Sequence, residues 1–169
     1  MTIFRIIASP RLFRYDCINY MCGRFALGST IEEIRKRFRA QVNPALFTPN
    51  KNITPGSMIP IIIDDGGPKA ILAKWGLVPG WAKEPKIGYK MINARSETIM
   101  EKASFRKPFL NTRCLIPATG FYEWMHTDKE KIPYYFHLVS DGLFSFAGLY
   151  DTWKDAEGYP LVSCTIITT

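Results

Sequence analysis

CLIPATGFYEWMHTDKEKIPYYFHLVSDGLFSFAGLYDTWKDAEGYPLVSCTIITT, residues 114–169, decides the fold class. Apolar and aromatic runs at Cys114–Ile116, Phe121–Trp124, Tyr134–Val139, Leu143–Ala147 and Leu161–Thr168 alternate with short stretches of turn residues. Such runs, bounded by Gly, Pro, Asp and Ser, read as strands with short connections. Working back toward the N-terminus, Met58 to Ile63 reads as a buried strand. Asp64-Asp65-Gly66-Gly67 then turns the chain into a second strand, Lys69 to Trp75. Cys22 to Leu27 reads as another, ending at Gly28, and the stretch with Pro44, Pro49 and Pro55 as a polar loop. Helices are few. Ser29 and Thr30 are N-cap types with Glu32 and Glu33 three positions on, a capping box opening a helix on which Ile31, Ile34 and Phe38 share a face. Ser96 to Asn111 reads as two short helices parted near Ala103 and Ser104. The pattern predicts an α+β single domain with a curled, mainly antiparallel sheet or barrel as its core and short flanking helices.

A chain of 169 residues, 47% hydrophobic and 14% aromatic, fits one domain with an ample core. Its 22 basic against 15 acidic residues leave a formal charge of +7, which favours polyanionic partners without naming one. The first twenty residues carry Arg5, Arg11 and Arg14 against Asp16, a net +2, so most of the excess lies beyond them. The four cysteines, Cys17, Cys22, Cys114 and Cys164, are scattered with no CxxC and no alternating histidine, so no metal site is expected. Free thiols and the lack of a secretory signal predict a cytoplasmic protein. No apolar run approaches the roughly 18 residues of a membrane span. The Arg-rich start faintly resembles a transit peptide, but Arg5 interrupts its apolar stretch and Pro10 breaks any helix. Residues 1–20 are therefore read as a dispensable extension, with the domain at 21–169 and a natural start at Met21. The chain stops inside an apolar strand, so the C-terminal part of the domain is expected to be missing.

The chemistry concentrates in MCGRF (21–25), WGLVPGW (75–81), INARSET (92–98), SFRKPF (104–109) and GFYEW (120–124). Cys22 follows a methionine, and a free cysteine is most often a small buried residue. Removing Met21, however, would give Cys22 both a thiol and an α-amine of pKa roughly 7.7–8.0, substantially neutral near pH 7. Such a residue reacts with aldehydes or acyl groups. Glu123 sits among Phe121, Tyr122 and Trp124, and could simply face water; aromatic neighbours could instead desolvate it and raise its pKa toward acid–base use. Asn93 and Arg95 are two apart, so in an extended segment they share a face, although NAR alone also suits a turn into a helix. Trp75 and Trp81 flank a Gly/Pro-containing loop, and one of the pair is expected to be core.

These five clusters, in order and at similar spacing from Met21 to Thr169, resemble the SOS response-associated peptidase (SRAP) family. The resemblance implies a single-stranded DNA partner carrying abasic sites, whose open-chain aldehyde condenses with Cys22 into a thiazolidine crosslink. By the same resemblance Glu123 is the general acid–base and Asn93 orients the sugar or the cysteine. Arg24, from the strand face of Cys22, and Arg95 grip phosphate, and the tryptophan loop offers a wedge against bases. No cofactor and no membrane are implied, a monomer is expected, and a bacterial source would make it nucleoid-associated. The family's histidine, in an HDRMP-like motif beyond TIITT, falls past Thr169, and neither His126 nor His137 matches it. The implied activity is that of a lyase-like crosslinking enzyme that also processes itself as a peptidase. Alternatives are an autoproteolytic cysteine peptidase, a non-covalent single-stranded DNA binder, or an inactive fragment.

Overall fold

The computed structural model describes residues 4–6, 22–127, 130–140 and 142–169. Most of the extension ahead of Met21, including Cys17, Arg11, Arg14 and Asp16, lies outside the described residues. Eleven strands are seen among the described residues: β1 (Phe4–Ile6), β2 (Phe25–Leu27), β3 (Asn50–Ile53), β4 (Met58–Asp64), β5 (Pro68–Trp75), β6 (Asn93–Arg95), β7 (Arg113–Ala118), β8 (Gly120–His126), β9 (Lys131–Leu138), β10 (Phe144–Lys154) and β11 (Pro160–Thr168). They form two sheets. One runs β1-β9-β8-β2-β3. The other runs β10-β7-β4-β5-β11, and a β10–β11 pairing closes these five strands into a barrel, with β6 added along β11.

The residues explain the split. Ile59, Ile61, Ile62 and Ile63 of β4 are all buried, the continuous apolar run of a strand covered on both faces. Exposed and half-buried residues alternate along most of β9, whose sheet keeps one face toward water. Phe25 joins the two layers, lying edge-on to Trp75 at 5.2 Å and to Phe146 at 5.8 Å. On the outside, α1 (Ile31–Phe38) opens with the full capping box: the Thr30 hydroxyl accepts from Glu33 N at 3.2 Å, and the Glu33 carboxylate accepts from Thr30 N at 2.7 Å. Ile34 is its buried contact.

The α+β reading and the curled, mainly antiparallel sheet hold, with parallel joints where β11 meets β5 and β6. The details differ in several places. The strand expected from Cys22 begins at Phe25, and the polar loop with its prolines contains β3. β10 runs past Ala147 to Lys154, and His126 ends β8 instead of lying in a turn. The two helices expected between Ser96 and Asn111 are a single 3₁₀ turn at Ser96–Thr98 and α2 (Ala103–Asn111). No helix among the described residues is long and apolar enough to cross a membrane.

Candidate active site

Cys22, Asn93 and Glu123 come from three distant parts of the chain and lie near one another: Asn93 bonds the Cys22 carbonyl, and the Glu123 charge reaches the Cys22 thiol. Asn93 stands on β6, three residues paired with the end of β11, opposite Ile166. The residue before it is held firmly, because the Ile92 carbonyl accepts from Trp75 Nε1 at 2.8 Å and from Ile166 N at 3.1 Å. From this base the Asn93 amide donates to the Cys22 carbonyl at 3.0 Å. Its Oδ1 is buried and has no hydrogen-bond partner among the described residues. A buried acceptor left unpaired is costly, and such an atom asks for a donor from a ligand or from the cysteine itself.

Cys22 is buried in the core cluster with Phe25 and Trp75, and its thiol points back toward the Arg24 carbonyl at 3.7 Å. Burial foremost, and then the neighbouring Glu123 carboxylate, push the thiol pKa up to about 12. Glu123 lies on β8 opposite Tyr134, and strand alternation puts it on the same side as Phe121, which stacks on Phe136 at 5.0 Å. Half-buried there, its carboxyl has a pKa raised by desolvation. A carboxyl inclined to keep its proton therefore stands close enough to Cys22 to act on its charge.

Arg24 does not share a face with Cys22. Its guanidinium donates to Asn52 Oδ1 at 2.8 Å and lies 5.6 Å from the Trp124 ring, whereas Cys22 turns into the core. Arg95 is exposed, and the extended backbone of β6 keeps it on the side of Asn93 with Ala94 buried between them. Trp75, expected to touch DNA, is corrected to a core role: it is fully buried and its indole N–H is bonded inward, so no face is open to a base. Trp81 is 62% exposed. The loop leaving Trp75 passes through Gly76 at φ +126°, where a Cβ would come within 2.6 Å of the Gly88 carbonyl oxygen, so only glycine fits. Sequence reading missed Asn52, because an asparagine in a polar loop gives no sign that it will face an arginine.

The arrangement defines a class: a curled β domain in which a buried cysteine, Cys22, lies beside an asparagine that bonds its carbonyl and a desolvated glutamate. The chain belongs to the SOS response associated peptidase (SRAP) family, whose sequence model matches residues 21–169. It is 50% identical over 153 residues to the abasic site processing protein YoqW of Bacillus subtilis, covering 88% of this chain and 68% of that protein. It is 31% identical over 192 residues to the abasic site processing protein HMCES of Xenopus tropicalis, covering 88% of this chain and 57% of that one. A crystal structure of a protein from Bacteroides thetaiotaomicron superposes with a TM-score of 0.80 at 30% identity, covering 86% of this chain and 67% of that one.

Proposed function

We propose that this protein processes abasic sites in single-stranded DNA by bonding covalently to the ring-opened sugar through Cys22. The observation that carries the reading is the grip on that residue: the Asn93 amide holds its carbonyl, and the Glu123 carboxylate bears on its thiol. The relatives named as abasic site processing proteins support the substrate. A thiol with its pKa pushed up to about 12 keeps its proton at neutral pH, so it does not begin the reaction. The α-amine that Cys22 carries once it is the first residue does. Its lone pair attacks the aldehyde carbon to give a carbinolamine. Glu123, with its raised pKa, donates a proton to the departing hydroxyl; water leaves and an imine forms. The thiol then adds across the imine: sulfur bonds to carbon, the thiol proton ends on nitrogen, and a five-membered thiazolidine closes. One water is released and no electrons change hands. Asn93 Oδ1 accepts a hydrogen from the amine or the sugar hydroxyl, while Arg24 and Arg95 take flanking phosphates.

The same protonated thiol argues against a peptidase that attacks other proteins with a free thiolate. Peptidase action enters this reading as the removal of whatever precedes Cys22. The test uses the full chain and a chain begun at Met21, each incubated with an oligonucleotide bearing one natural abasic site. An adduct that survives denaturant, with the summed mass less one water, is expected from protein whose N-terminal residue is Cys22, and none from Cys22→Ser. An equal adduct from Cys22→Ser, or none from protein shown by mass to begin at Cys22, overturns the proposal.

A further inference from the structure

Of the two tryptophans in WGLVPGW, the second stands in water on a loop that is otherwise tied down along its length. Leu77 and Val78 are fully buried, Leu77 N bonds to the Met91 carbonyl at 3.0 Å, and Val78 N bonds to Ser163 Oγ at 2.7 Å. Pro79 to Ala82 then forms a turn closed by Ala82 N to the Pro79 carbonyl at 2.9 Å, with Trp81 at its third position. β10 pins both sides of that turn. Gly80 N donates to Asp151 Oδ2 at 2.9 Å, and Trp153 Nε1 donates to the Ala82 carbonyl at 2.7 Å. Asp151 is itself fixed, since its other oxygen accepts from Thr152 N at 2.8 Å. Asp151 and Trp153 are two apart on an extended strand and so reach the loop from one face.

An exposed indole carried on a backbone held this firmly gains nothing from burial in its own fold, and the loop under it loses little freedom when something docks on the ring. The same loop begins at Trp75, whose indole supports the residue preceding Asn93, so it ties the exposed ring to the reaction site. We propose that Asp151 and Trp153 are positioning residues that hold Trp81 as a preformed wedge against a nucleobase beside the abasic site. The proposal rests on the abasic-site reading. Stacking on an indole presented by a fixed loop needs no particular base, which suits recognition of a gap in the stack.

The test is binding of the full chain to a fluorescent single-stranded oligonucleotide carrying a tetrahydrofuran abasic analogue, read by anisotropy. That analogue has no aldehyde, so affinity is measured apart from crosslinking. Trp81→Ala is expected to weaken binding by about fivefold to a hundredfold, the range for one stacked base. Asp151→Ala and Trp153→Phe should each weaken it by about two- to tenfold, the range for one hydrogen bond. Asp151→Asn keeps an oxygen for Gly80 N and should bind at least as tightly as wild type. Adding Asp151→Ala to Trp81→Ala should weaken binding no further. Sign is the discriminating readout: a carboxylate acting only through its charge repels DNA, so its removal would tighten binding. Asp151→Ala binding as tightly as wild type, a further loss in the double variant, or no binding by wild type overturns the proposal. If this pattern appears but natural abasic DNA gives no adduct, the crosslinking reaction fails and the wedge stands.

Discussion

Substituting the two tryptophans of WGLVPGW separately should split stability from DNA binding. Trp75→Phe removes an indole that is fully buried and bonded to the Ile92 carbonyl at 2.8 Å. That carbonyl keeps its second donor, Ile166 N, so it is not orphaned and the lost bond costs about 0.5–1.5 kcal/mol. The missing ring leaves a void of roughly 40 Å³, worth about 1 kcal/mol, besides the lost transfer energy. Together these come to about 2–3 kcal/mol, below the roughly 3–5 kcal/mol of a full truncation to alanine. For a chain of this length that lowers Tm by about 4–12 °C. Trp81→Ala, at a position 62% exposed, should shift stability by no more than about 0.5 kcal/mol while weakening DNA binding. Thermal melts followed by circular dichroism, with affinity corrected for the folded fraction, give both quantities. If Trp75→Phe melts like wild type, or Trp81→Ala loses as much stability as Trp75→Phe, the division of roles is wrong.

Glu123 offers a test in which stability and activity move in opposite directions. Desolvation raises its folded-state pKa above the unfolded value, so its contribution is full below the unfolded pKa and is lost as pH rises through the folded one. Glu123→Gln should therefore melt above wild type at neutral pH, the gap fading as pH falls below the ordinary carboxylate range, while the adduct rate drops by about 10²–10⁴-fold. A wild-type advantage in Tm at neutral pH contradicts the desolvation argument. Asn93→Ala removes a donor to Cys22 and an acceptor without a partner among the described residues, so its stability should change by only about 1 kcal/mol. Its adduct rate, timed on denaturing gels, should nonetheless fall by at least about tenfold; an unchanged rate would remove Asn93 from the reaction.

Much of the fold is legible because its strands are long enough to carry a pattern. Strand β4 announces itself by four buried isoleucines, and α1 by a capping box that forms as written. Two omissions have a common cause: β3 reads NKNI with Ile53 as its buried residue, and β6 is three residues long. Such strands are made by their partners and carry no periodicity of their own. The strand expected to end at Ala147 continues through Gly148 to Lys154. In the fold Gly148 lies between Cys114 and Ile166, and a Cβ there would come within 2.8 Å of the Ile116 side chain and 3.0 Å of Cys114 Sγ. The glycine is there because neighbouring elements need its space, which no local pattern reports.

The site divides the same way. Cysteine, glutamate and asparagine betray their chemistry by type, but the direction in which each points depends on hydrogen-bonding ladders. Alternation works for Glu123 because β8 is paired along its length with β9. It fails for Cys22 and Arg24 because they stand where the β2 ladder ends, its last bond running from Tyr122 N to the Arg24 carbonyl at 2.9 Å. There Cys22 turns into the core while the Arg24 side chain turns to Asn52 and Trp124. That irregularity is also what an attacking amine requires. A backbone nitrogen inside a ladder is committed to a neighbouring strand. Cys22 stands at the end of the ladder and is held through its carbonyl, so under the proposed reaction its nitrogen can be freed without breaking a strand pairing.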